Sequence, residues 1–147
     1  MKKNGSKWLI IMLMVGLGAI PKIIFGQPAP TPLFIIEQDL KILQQVKEQL
    51  INKDQWKKES TFGEACSPST STQTLGCALK NAQIALTGEY QHRNLLMRIV
   101  RTKIRKHFFW RQGFHPIDGF NKHPKTTHQE VVFLLEEVEK ELLERQG

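Results

Sequence analysis

The residue types able to do chemistry fall into three sets: five histidines, two cysteines and one long run of cations. The histidines are His92, His107, His115, His123 and His128, at gaps of fifteen, eight, eight and five. Zinc ligation wants close pairs on one helix face, or a cysteine partner, and this spacing supplies neither. His115 and His123 each precede a proline in a stretch that reads as loop. No nucleophile-elbow motif and no glycine-rich phosphate loop occurs. The glutamates at 136, 137, 139, 141 and 144 lie on the polar side of one helical pattern, where solvation is a commoner fate than acid–base work. No catalytic residue, metal or cofactor is therefore expected. The cation run is Arg93, Arg98, Arg101, Lys103, Arg105, Lys106 and Arg111, with no acid between Glu89 and Asp118. Phe108, Phe109 and Trp110 close it. A basic helix with aromatics suits a polyanion such as a heparan-type chain, or an acidic protein surface. The plainer reading is a solvated face balanced by the acidic C-terminal segment, with Phe109 or Trp110 capping the core.

These residues need a scaffold, and the pattern supplies helices. From Leu75 to Trp110, apolar residues fall at Leu75, Leu79, Ala82, Leu86, Tyr90, Met97, Val100, Ile104 and Phe108. Those steps make one helical stripe. Unbroken, it would run roughly 54 Å, longer than the about 35 Å width of a domain this size. Gly88 is the place to stop, which predicts helices at about 75–87 and 90–110 joined by a tight turn. A first helix is predicted over about 33–58, burying Leu33, Ile36, Leu40, Leu43, Val46 and Leu50. A last helix is predicted over about 127–146, opened by a capping box on Thr127 and Glu130 or on Thr126 and Gln129, and burying Val131, Leu134, Leu135, Val138 and Leu142. The segments 60–74 and 111–125 read as loops.

The chain opens with Lys2, Lys3 and Lys7 before an apolar run from Trp8 to Ile20. That run suits a secretory signal cut after Gly26, leaving a single domain over 27–147. The alternative is an anchor from Trp8 to Phe25, which would place Lys22 inside the span. Cleavage would lower the formal net charge from +7 to +3 and leave no membrane span. It would also leave residues 80–125 at +8 against −4 for residues 126–147. An exported chain has no access to genomic DNA, so no nucleic-acid partner is expected. In such a chain Cys66 and Cys77 most simply pair with each other, though free thiols or a bond to another chain remain open.

The predicted connections are long, short, long. That order suits an all-α, up-up-down-down four-helix bundle, in which each long link crosses the height of the bundle. Several short stretches also resemble the short-chain four-helix cytokines of the interleukin-2/interleukin-15/interleukin-21 family, closest to its interleukin-21 branch. They are Cys66 and Cys77 ahead of the second helix, Lys80-Asn81-Ala82-Gln83, Thr87-Gly88, Arg93, the run Ile99 to Lys106, and the last helix from Leu134. Two departures stand out. The family pairs the two cysteines with two more in the loop before the last helix, and here that loop has none. The family's last-helix glutamine is replaced by Leu143 or Glu144. The resemblance implies a secreted cytokine that bridges receptor ectodomains on leukocytes and starts JAK–STAT signalling. By that analogy Gln44, Lys47, Arg98, Arg101 and Arg105 would face a private receptor chain, and Glu144 a shared gamma-type chain. A secreted or periplasmic helical binding protein with a basic face is the alternative.

Overall fold

The computed structural model describes residues 32–59 and 66–147. The signal-like segment 1–26, the lead-in to Thr31 and residues 60–65 lie outside the described residues. The described chain is all-α, with helices α1 (Pro32–Leu50), α2 (Leu75–Thr87), α3 (Leu95–His107), α4 (Pro116–Lys122) and α5 (His128–Gln146). No β-strand occurs among the described residues; one isolated parallel bridge joins Trp56 to Gln73.

Local chemistry sets most boundaries. α2 opens on Thr74, whose hydroxyl accepts from the Cys77 amide, and closes on Gly88 at φ 81°, a conformation that costs glycine nothing. α5 opens on the capping box in its Thr127–Glu130 register. Three helices depart from expectation. α1 stops at Leu50 instead of near Lys58, because Asn52 adopts an extended conformation and starts a 3-10 turn over Lys53–Gln55. Asparagine side chains compete with helical hydrogen bonding in this way. α3 starts at Leu95 instead of Tyr90, because Asn94 caps the Met97 amide. It ends at His107 instead of Trp110. The third departure is α4, which lies inside the segment expected to be loop. Pro116 stands in its first turn, where the missing N–H costs nothing, and Ile117, Phe120 and Asn121 are buried. Gly119 is there because a side chain would meet the Gln112 carbonyl at 2.1 Å.

Hydrogen bonds fix how the helices run. At one end of the bundle, the His128 ring at the start of α5 bonds the Leu50 carbonyl at the end of α1 (2.7 Å). There too Asn121 accepts from Trp56 and from the first amide of α2, and Arg111, just after α3, pairs with Glu130 (2.6 Å). Towards the other end, the Asp39 carboxylate of α1 accepts from the Leu96 amide at the start of α3 (3.0 Å). Gln83 near the end of α2 accepts from Gln91 and Asn94. α1, α2, α3 and α5 therefore alternate in direction, up-down-up-down. The expected up-up-down-down order requires α1 parallel to α2 and α3 parallel to α5, and neither pair is parallel. The physical reason is that neither long link crosses the bundle. The first doubles back through hydrogen bonds between Gln55, Lys57 and Gln73, and the second spends its length on α4. α1 packs on α2 and α5, α3 packs on α5, and α4 contacts both α2 and α3.

The core contains every expected residue of α5, and from α1 Ile36, Leu43, Val46 and Leu50. Ile42 and Asp39 join them, Leu40 is half-buried, and Leu33 and Leu86 are exposed. Cys66 and Cys77 form a disulfide that ties the first link to the first turn of α2. Closing an 11-residue separation should stabilise the fold by about 2–3 kcal/mol through the unfolded chain. The double variant Cys66→Ser/Cys77→Ser is expected to lose that amount in urea unfolding with its helical circular dichroism intact.

Candidate basic binding face

The rotation of α3 sorts its cations into three groups. With Leu96, Met97, Ile99, Val100 and Ile104 in the core, Lys103 and His107 turn toward α5. Lys103 is 8% exposed and lies 3.3 Å from both Glu137 and Glu141. His107 lies 3.4 Å from Glu137. The Lys103 hydrogen bond holds the Glu137 carboxyl below its ordinary range. Glu141 is likewise lowered, first by Arg145 and then by Lys103. For Glu130 burial raises the pKa, but hydrogen bonds from Arg111 and Thr127 bring it below the ordinary value. The balancing of the basic segment by the acidic last helix is therefore real for Lys103, His107 and Arg111.

Arg98, Arg105 and Lys106 form the second group. They are exposed, and none makes an ion pair among the described residues. Arg98 and Arg105 are seven apart, two turns along one side of the helix. The chain then turns because Phe108 tucks onto Phe120, with ring centroids 4.6 Å apart. It is thus Phe108 that closes the core, instead of Phe109 or Trp110. Phe109 is 53% exposed, Trp110 89% and Phe114 93%. Three large aromatics in water beside unpaired cations are costly to maintain without a partner, and aromatic residues with arginine are the usual anchors of protein contacts.

Arg101 forms the third group. It stands one turn from both Arg98 and Arg105, at the edge of their side of the helix, and donates to the His92 carbonyl (2.7 Å). There it lines a cleft of about 480 Å³ between α2, α3 and α4, with Lys80, Tyr90, Lys122 and Asp118. Burial pushes the Tyr90 phenol up; the Arg101 charge lowers it and the Asp118 charge raises it further. The remaining candidates lie elsewhere. Gln44 donates to Glu48, and Lys47 to Glu139 at 2.7 Å, along the groove between α1 and α5. Glu144 is exposed near the end of α5. The structure thus brings Arg98, Arg101 and Arg105 to one side of α3, with Arg101 at its cleft edge, and leaves Gln44 with Lys47 and, apart from them, Glu144 in two other places. Asp39 and Asn121, both buried polar hubs, had no signal in the residue pattern beyond being polar at helix-face positions that turn out to be internal.

The histidines are dispersed, and among the described residues no group of three or more His, Cys, Asp or Glu side chains is placed to hold a metal. No helix of the described residues is long and apolar enough to cross a membrane. Fold and site together define a disulfide-tied all-α bundle with a basic, aromatic-tipped face. No family model, no curated protein and no solved structure matches the chain.

Proposed function

We propose that this chain is an exported binding protein that docks an acidic protein surface on the outer side of α3. One observation carries the reading. Arg98, Arg105 and Lys106 stand exposed and make no ion pair among the described residues, on a segment that ends in the exposed Phe109 and Trp110, while Lys103, His107 and Arg111 on the same segment face α5 acids. Unpaired cations steer an anionic partner, and the aromatics supply the area to hold it. The export half of the proposal rests on the charged-then-apolar pattern of residues 1–26.

The receptor-ligand form of this reading, a secreted cytokine acting through JAK–STAT on leukocytes, draws support from the Cys66–Cys77 bond at the start of α2, the glycine stop at Gly88 and the basic α3. The alternating helix order speaks for the more general binding protein. STAT phosphorylation in leukocytes of the source species, treated with the chain from Gln27 onward, separates the two. A saturable response at nanomolar concentration would establish the receptor ligand. No response from folded protein would leave the general form. In either case, once a partner is captured by crosslinking, Arg98→Glu/Arg105→Glu and Trp110→Ala are each expected to weaken its binding about tenfold or more. Unchanged affinity in both variants would remove α3 from the interface.

A further inference from the structure

The cleft between α2, α3 and α4 borders the exposed stripe of Arg98 and Arg105 through Arg101, and its chemistry points to a ligand. Three cations line it, Lys80, Arg101 and Lys122, against the single carboxylate of Asp118. No ion pair of these three cations occurs among the described residues. Elsewhere the protein spends its half-buried cations on acids: Lys47 on Glu139, Lys103 on Glu137 and Glu141, Arg111 on Glu130. Gathering three like charges in one concavity without that compensation is unfavourable unless an anion enters.

The site is also pre-shaped. Arg101 is oriented by its hydrogen bond to the His92 carbonyl, which uses one of its five N–H groups and leaves the fork directed by a fixed anchor. The Cys66–Cys77 bond forms part of the wall. Asp118 also lines the cleft but makes no ion pair with these cations among the described residues. Its Oδ1 lies over Gly76, 3.1 Å from where a side chain there would begin. Tyr90 supplies a hydroxyl at the rim, able to donate to an oxyanion. Arginine, lysine and hydroxyl donors around a volume of about 480 Å³ fit a tetrahedral oxyanion better than a planar carboxylate served by a single fork.

We propose that this cleft is a binding site for a phosphate or sulfate group, held by Arg101, Lys80 and Lys122. Free ion and sulfated glycan present the same chemistry, and the experiment distinguishes them. Isothermal titration of the purified chain with inorganic phosphate, with sulfate and with a heparin-derived hexasaccharide is expected to show saturable binding at one site per chain. Lys80→Gln/Lys122→Gln, whose side chains make no ion pair among the described residues, should weaken each ligand about tenfold or more. Arg101→Gln should do so more strongly. Lys41→Gln on α1 and Lys140→Gln on α5, both exposed and outside the cleft, remove equal charge elsewhere and should leave affinity for the small ions unchanged. Hexasaccharide binding tighter than sulfate identifies the glycan as source; equal binding identifies the free ion. Absence of saturable binding of all three ligands, or equal weakening by the charge-matched controls, overturns the proposal. The docking reading is tested by partner affinity of the Arg98→Glu/Arg105→Glu and Trp110→Ala variants, so failure here is distinguishable from failure there.

Discussion

Asn121→Leu is expected to cost about 4 kcal/mol, more than any other substitution of similar size in this protein. The side chain is 1% exposed and makes four bonds. Its oxygen accepts from the Trp56 indole (2.8 Å) and from the Leu75 amide (3.0 Å), and its nitrogen donates to the carbonyls of Lys57 (3.1 Å) and Lys58. Leucine keeps the number and branching of the side-chain heavy atoms, with bulkier methyl groups, and removes all four. The Leu75 amide is one of the orphan donors at the start of α2, and it would be left buried without a partner. The Trp56 indole N–H would lose its acceptor as well. Each buried group left unpaired costs about 1–3 kcal/mol. The loss would not stay local, because Asn121 ties together α4, the link after α1 and the first turn of α2. Urea unfolding measures the total. Asn121→Asp keeps the acceptor for Trp56 and Leu75 but sets a carboxylate against the two carbonyls, and should fall between wild type and leucine. A leucine variant within about 1 kcal/mol of wild type would show that the junction is held by packing alone.

Asp39→Asn is expected to stabilise the protein at pH 7, by up to about 3 kcal/mol. Asp39 is 3% exposed. Burial pushes its carboxyl from the ordinary 3.8 up to about 6, and the hydrogen bond from the Leu96 amide offsets only part of that. Between about pH 4 and 6 the folded chain therefore holds a proton that the unfolded chain has released. The stability tied to this group is fully present below the ordinary value and is lost as pH rises through about 6. A shift of that size corresponds to about 3 kcal/mol at neutral pH. Asparagine keeps an oxygen for the Leu96 amide and carries no charge to bury. Glu130, Glu137 and Glu141 act in the opposite sense. Their lowered pKa values contribute stability above 4.5 that disappears as pH falls through their folded values. Thermal melts from pH 3 to 8 should then show wild type most stable near pH 4 to 5 and declining to pH 7, with the decline absent in Asp39→Asn. A wild-type curve that rises from pH 5 to 7, with the asparagine variant no more stable at pH 7, would sink this account.

Both predictions rest on polar residues inside the bundle, the features that residue patterns reveal least. Asp39 sits among apolar residues on the buried side of α1, yet by type alone it reads as solvent-facing. Asn121 sits in a stretch whose two glycines and two prolines read as loop. The signal that could have found α4 was Pro116 followed by Ile117, Phe120 and Asn121, a one-turn repeat behind a helix-starting proline. It is short enough to be overruled by the glycine inside it.

By itself the sequence determined what depends on neighbours along the chain: four principal helices, the glycine stop at Gly88, a capping box at the start of α5, and the buried side of α5. Those follow from periodicity, backbone freedom and capping, which act over three or four residues. The sequence left the Cys66–Cys77 pairing open, and the structure decided it. Only the tertiary structure decided the direction of the helices, the end of α1 at Leu50, the turning of Arg101 into a cleft and the matching of Lys103 to α5. The physical reason is that an amphipathic stripe states which side of a helix is buried and carries no arrow saying against what. A link of a given length is equally able to cross a bundle or to fold back at one end, and here Trp56, Gln73 and Asn121 fold both links back at the same end.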